Sequence, residues 1–414
     1  MIRLVFSTGI RRSGAPRRGR LSLATRALLG AALLCSLAAA APTPRRPTAP
    51  AARASDGPET KGARAASQSA QSGWLYVLDS KNGATEGQVL VLDPAQGSVV
   101  RSFATGLAPD FALSPDGKRL YIASTYTQRT DPAAREELSV IDTASGQIIQ
   151  TVSNADRAFY NVQPIFSGMT LSPDGRWLYV SKMALVGQDN ILYWVATLDT
   201  RTNKFLPEKA EVPNCGVTQF LPMTKARQLQ VVCTDTMDVR TLKIMPNGAS
   251  ASLSTKLKGV GRRLRSDLPA YSFPTAEGSN MTMTADGRLL KIDSAQVATE
   301  LLSIDVPSDR WVQTGVTSPD KGRVYVSLTV PAAANQGRWL ADRITALDLR
   351  GMNRLGVVET SHPFSYLAVS RDGRFLYATD TGGASLMVID TSTLREARVI
   401  SNVGVSPSLV LIAP

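Results

Sequence analysis

The 414-residue chain carries 46 Lys/Arg, 34 Asp/Glu, one His and three Cys, and its mean hydropathy near zero makes the bulk of it soluble. The net charge of +12 is unevenly placed: residues 1–72 hold 12 basic and 2 acidic groups, the other 342 residues 34 and 32. A nucleic-acid binder presents its basic stripe on the folded face, so that class is excluded.

Residues 1–41 read as a secretory signal peptide. An Arg-rich, acid-poor start precedes the apolar Leu28 to Ala41, which is too short to span a bilayer, and Ala38-Ala39-Ala40 supplies a cleavage site. Arg17-Arg18 followed by Leu21 is a partial twin-arginine pattern, so two export routes stay open. Leu34 is bulky where a lipoprotein signal carries a small residue, which argues against an anchor at Cys35. The expected location is the periplasm. Residues 42–72, rich in Ala, Pro, Ser and Arg with no apolar period, read as a flexible arm.

From residue 73 to 414 the pattern is that of strands. Leu171 to Met183, LSPDGRWLYVSKM, reads as two strands joined at Asp174-Gly175, a strong short-range hairpin signal. Related strings begin at Leu113, Met283, Thr317 and Val369. A second element, an alternating strand with an Asp-Thr or Asp-Pro turn, begins at Val89, Leu138, Trp194, Ile344 and Leu386. Two hairpins make a four-stranded antiparallel unit, and a period of about 51 residues is that of propeller blades. The expected fold is all-β, a seven-bladed propeller with blades at 74–106, 107–158, 159–215, 216–266, 267–310, 311–361 and 362–403. The C-terminal VSPSLVLIAP reads as a first strand without its second, and GWLYVLDS at Gly73 as a second without its first. Their pairing is expected to close the ring.

The Asp residues of the Ser-Pro-Asp-Gly turns read as turn chemistry, and no catalytic residue is assigned. His362, at a blade junction, is alone, which argues against a metal site and a Ser-His-Asp triad. Glu136 and Glu137 fall in a charged insert, Thr125 to Glu137, read as a solvated loop. Cys215 and Cys233 flank one hairpin and suit one disulfide in an oxidising compartment. Such a staple stabilises by about 3 kcal/mol in the chain-entropy account.

The repeats LSPDGKRLYIAS and LSVIDTASGQ resemble those of exported propellers with Tyr-Val-Thr-Asn-like repeats. STYTQRTDPAAREELSVID at Ser124, NVQPIFSGMTLSPDGRWLYV at Asn161 and VPNCGVTQFLP with VVCTD resemble, more closely, the heavy chain of the quinoprotein amine dehydrogenases of the methylamine and aromatic amine type. The resemblance places Cys215 and Cys233 where that family has its heavy-chain disulfide. It implies a periplasmic scaffold and substrate-channel subunit with no cofactor of its own. Two such chains would bind two light chains, each carrying tryptophan tryptophylquinone. The assembly would oxidise a primary amine to aldehyde and ammonia and pass electrons to a copper protein or cytochrome.

Two departures bear on amine gating and light-chain binding. Ser80 to Gln88 lacks the family's channel-lining aromatic, and the approach to blade 6 is reduced to RWVQTGVTSP at Arg310. The alternative is a solitary exported propeller that binds a protein or ligand. A self-sufficient lactonase-type enzyme is the third reading, and the near absence of His counts against it.

Overall fold

Five turns share one side-chain device. In Ser114-Pro115-Asp116-Gly117 the Ser114 hydroxyl donates to Asp116 Oδ1 at 2.6 Å and accepts the Arg119 N–H at 2.9 Å. Ser172, Ser318 and Ser370 repeat both bonds with Asp174, Asp320 and Asp372, and Thr284 does so with Asp286. The turn needs one residue with positive φ: Gly117 at 68°, Gly175 at 69° and Gly373 at 73°. In Ser318-Pro319-Asp320 that place falls to Lys321, at φ 54°.

The computed structural model describes residues 73–80, 86–125, 136–153, 159–160, 168–186, 190–213, 215, 217–221, 228–233, 238–248, 250–253, 269–275, 280–292, 298–330, 340–380 and 382–412. The signal peptide and arm read at 1–72 lie outside them. The strands are β1 (Leu75–Ser80), β2 (Glu86–Asp93), β3 (Ser98–Leu113), β4 (Arg119–Thr125), β5 (Glu136–Asp142), β6 (Gln147–Ser153), β7 (Phe159–Tyr160), β8 (Met169–Leu171), β9 (Trp177–Val186), β10 (Asn190–Asp199) and β11 (Lys204–Glu211). They continue as β12 (Val217–Leu221), β13 (Gln228–Cys233), β14 (Asp238–Ile244), β15 (Ser250–Leu253), β16 (Pro269–Pro274), β17 (Asn280–Thr284), β18 (Arg288–Ile292) and β19 (Ala298–Ser303). The last are β20 (Val312–Thr317), β21 (Arg323–Thr329), β22 (Ala341–Asp348), β23 (Asn353–Phe364), β24 (Leu367–Val369), β25 (Phe375–Asp380), β26 (Ser385–Asp390), β27 (Arg395–Ile400) and β28 (Pro407–Ile412).

The protein is an all-β propeller of four-stranded antiparallel blades. Among the described residues the strands form six hydrogen-bonded sheets: β28-β1-β2-β3-β4-β5-β6, β11-β10-β9-β7 with β8 also on β9, β12 to β15, β16 to β19, β20 to β23 and β24 to β27. The first sheet is long because β3 serves two ladders. Its start, Ser98 to Gly106, pairs β2, and its end, Leu107 to Leu113, pairs β4. The register shifts between Leu107 and Asp110, where Pro109, which has no N–H to donate, sits in the bulge.

One turn stands apart and one expectation is corrected. The Asp286-Gly287 turn does not join the first and second strands of its sheet, as its siblings do. It joins the second and third, β17 and β18. The hydroxyl–carboxylate device is local and closes any antiparallel pair, so it marks a hairpin without saying which one. Glu136 and Glu137 open β5 rather than ending a loop, opposite Thr125 and Ser124. The ladder is made by backbone groups and runs on through polar residues; positions 126–135 of that insert are outside the described residues.

Blades pack face to face through apolar clusters, such as Tyr76, Leu78 and Val89 against Phe111, Leu120 and Ile122. Each fully buried side chain of this size is worth about 1.5–3 kcal/mol. Long side chains also reach from a blade to the next blade's outer turn. Arg101 donates to the Ala144 carbonyl at 3.3 Å, Arg323 to Thr391 at 3.5 Å, Arg119 to Thr200 and Arg398 to Pro94. Trp177 does the same by packing: a Cβ on Gly248 would lie 2.3 Å from its ring.

Replacing Lys321 by Gly removes a left-handed strain of about 1 kcal/mol. A Lys321→Gly chain is therefore expected to unfold at higher urea than the parent; an unchanged or lower midpoint contradicts this.

Candidate functional site

The first strand of each blade lies at the inside of the propeller. The second half of β3 touches β8, β8 touches β12, and contacts continue through β16, β20 and β24 to β28. Side chains on these strands form the candidate site.

Asp110 is the most perturbed group there. It is 4% exposed, and its carboxylate accepts the N–H of Phe111 and of Gly168, each at 2.8 Å. The second bond ties β3 to the entry of the next blade. Burial raises its pKa to about 7, against the pull of these backbone N–H groups. Tyr271, on β16, is pushed up to about 12 by burial, and its hydroxyl lies 3.1 Å from Thr317 Oγ1. Tyr366, just before β24, is raised by burial and then by the negative charge of Tyr271 and Asp110. Groups from three blades thus share one interior region. Two phenols and a carboxyl offer hydrogen bonds and ring faces to a polar guest. They do not form a nucleophile–base pair, and Asp110 spends its oxygens on backbone.

The sequence reading did not single out these three. Asp110 and Tyr366 each lie four residues before a turn serine, Ser114 and Ser370. Counting back from the turns would have found them; Tyr271 belongs to the sheet whose turn is displaced.

Cys215 and Cys233 are joined by a disulfide with Cα atoms 4.4 Å apart. Cys233 pairs with Val217 in the β12–β13 ladder, which brings Cys215 alongside. Both are fully buried among Trp177, Tyr179, Leu229 and Val231, where two blades meet. Asp116 and Asp320 are held below the usual carboxylate range by Ser114 and Ser318, the reverse of what a general acid needs. His362 lies in β23, two residues before the strand ends at Phe364. Its Nδ1 is 3.0 Å from Ser361 Oγ, which donates to Glu396 at 2.8 Å. The ladder to β22 runs on to Phe364 opposite Ala341, so the strand outlasts the His-Pro step. Among the described residues, no group of three or more His, Cys, Asp or Glu is placed to hold a metal.

The geometry carries two predictions. Between about pH 4 and about pH 7 the folded chain keeps the Asp110 proton that the unfolded chain releases, so this group's contribution falls as pH rises. An Asp110→Asn chain, neutral throughout, should be less stable than the parent at the acid end of that window and recover toward it at the other. Urea midpoints at both ends test this, and a constant difference contradicts it. Changing both Cys215 and Cys233 to Ser should cost about 3 kcal/mol, read from the same titration; a loss under about 1 kcal/mol would count against a staple of that kind.

Residues 71–414 match the family described as methylamine dehydrogenase heavy chain (MADH). The methylamine dehydrogenase heavy chain of Methylorubrum extorquens is 25% identical over 351 residues, 81% of this chain and 82% of that one. A seven-bladed beta-propeller protein of Mycobacterium tuberculosis is 24% identical over 342 residues, 76% of this chain and 81% of that one. Among solved structures, a protein of unknown function from Desulfotomaculum acetoxidans superposes with a TM-score of 0.61 at 13% identity, over 83% of this chain and 99% of that one; at that identity the likeness speaks to fold alone.

Proposed function

The chain belongs to the methylamine dehydrogenase heavy-chain family, and from that premise we propose that it is the periplasmic scaffold subunit of an amine dehydrogenase. The observation that carries the reading is the extent of the family match, 71–414, which takes in every strand of the described residues. The propeller is read as seven blades, β3 counting as the outer strand of the first and the inner strand of the second. The division of β3 between two ladders, the β28–β1 pairing and the seven-bladed relative support that count and the closing of the ring. Residues 1–41 are read as the signal peptide, 42–72 as the arm and 73–414 as the propeller. No helix among the described residues is long and apolar enough to cross a membrane.

In this reading two heavy chains hold two light chains, and the acceptor is a copper protein or cytochrome. The tryptophan tryptophylquinone belongs to the light chain and supplies the electron sink for amine oxidation. This chain holds that partner and walls the approach. The aromatic wall of the family does not fit the first-blade stretch here. Ser80 to Gln88 has no aromatic residue, and a Cβ on Gly87 would lie 2.8 Å from the Gly106 carbonyl oxygen and 2.9 Å from Thr105 Oγ1. No gating role is assigned to it. That departure favours a second reading, a solitary exported propeller that binds a protein or ligand.

Purification of the tagged chain from the periplasm of its native host separates the two. The first reading expects a small partner with quinone absorbance, amine-dependent dye reduction by the complex and none by this chain alone. Recovery as a lone chain without quinone would overturn it and leave the second.

A further inference from the structure

A cavity of about 330 Å³ opens between the last blade and the first, within the range of small-molecule sites. The repeat explains why it is there. At two other junctions the turn proline packs toward the next turn glycine: a Cβ on Gly175 would lie 2.9 Å from Pro115 Cδ, and one on Gly373 3.6 Å from Pro319 Cδ. The last blade breaks this twice. Its turn is Ser370-Arg371-Asp372-Gly373, with Arg in place of Pro. Its neighbour's inner strands, β28 and β1, come from distant parts of the chain and share no such turn to fill the gap.

Pro94, Phe375, Tyr377 and Val388 form the apolar floor, and Arg371 and Arg398 stand at the rim. Arg371 makes no hydrogen bond or ion pair among the described residues. Arg398 spends one N–H on the Pro94 carbonyl. The one acid present, Asp372, accepts Ser370 Oγ at 2.6 Å and the Arg374 N–H at 3.0 Å, and it is exposed. The Tyr377 side chain, on β25, lines the cavity. Its phenol is pushed up to about 12 by burial, with Arg398 lowering and Asp372 raising it, so both charges face it.

We propose that this seam is a binding site for a small organic carboxylate with an aryl or branched-alkyl body. The body rests on Phe375, Tyr377 and Val388, and the carboxylate is held by the Arg371 and Arg398 guanidiniums. The site lies on the outer side of the blade packing, apart from the inner-strand groups, and does not depend on the amine dehydrogenase reading.

Titration calorimetry of the full chain with phenylacetate tests it, with phenylacetamide and phenethylammonium as neutral and cationic isosteres. Saturable binding at millimolar or lower phenylacetate is expected, weakened at least about tenfold for either isostere. Arg371→Gln and Arg398→Gln should each weaken it by about tenfold or more. Ala397→Trp, which fills the cavity from an exposed rim position, should abolish it, with circular dichroism and melting temperature unchanged. No saturable binding, equal binding of the isosteres, or full affinity in both Gln variants would overturn the proposal. The two Gln changes lie at exposed positions, so misfolding does not obscure the result.

Discussion

The ladder between β28 and β1 joins the two ends of the described chain: Leu75 to Leu78 pair in register with Ile412 to Leu409. One buried carboxylate holds the approach to it. Asp79 is fully buried and accepts the N–H of Val405 at 2.8 Å, the N–H of Ser406 at 2.6 Å and Gln88 Nε2 at 2.7 Å. Gly404, at φ 73°, is part of the same clasp, because a Cβ there would lie 2.3 Å from the Asp79 carboxyl carbon. Residues 326 positions apart meet here, and closing a loop of that length costs about 5 kcal/mol of chain entropy. Hydrogen bonds to a charged group, at about 1.5–3 kcal/mol each, are of the size needed to offset it. The contact is also among the most non-local of the described residues, which makes it a late and slow event in folding.

This pairing shapes the rest. Because β28 and β1 reach the first blade from opposite ends of the chain, that blade lacks the turn its siblings have. The gap beside it is the cavity at the seam. On the inside, the same arrangement of first strands brings Asp110, Tyr271 and Tyr366 into one region. The inner region and the seam share no named residue, so the proposed partner and the proposed small ligand would be held in separate places.

Much of this is legible in the residues. The Ser-Pro-Asp-Gly turns carry their own hydrogen bonds, so LSPDGKRLYIAS and its relatives announce hairpins from local chemistry alone. The half-hairpins at Gly73 and at the C-terminal VSPSLVLIAP announce a pairing because each lacks what the other supplies. Cys215 and Cys233 flank a hairpin, a spacing that a ladder brings within bonding reach. What local chemistry does not encode is which strands a turn connects, and Asp286-Gly287 shows it. Nor does it encode what faces a common interior: Asp110 looks like any loop carboxylate until the bulge at Pro109 and the backbone of Gly168 enclose it. The seam cavity depends on the absence of a neighbour, and no motif marks an absence.

The central claim is that pairing of β28 with β1, locked by Asp79, holds the wheel as one cooperative unit. Native-state hydrogen exchange across a series of low urea concentrations tests it most directly. The account predicts that the amides of Tyr76 to Leu78 and of Leu409 to Leu411 exchange only through global unfolding, with the same urea dependence as the cores of the other blades. Exchange of those amides by local fraying, independent of urea while the other blades stay protected, would contradict it.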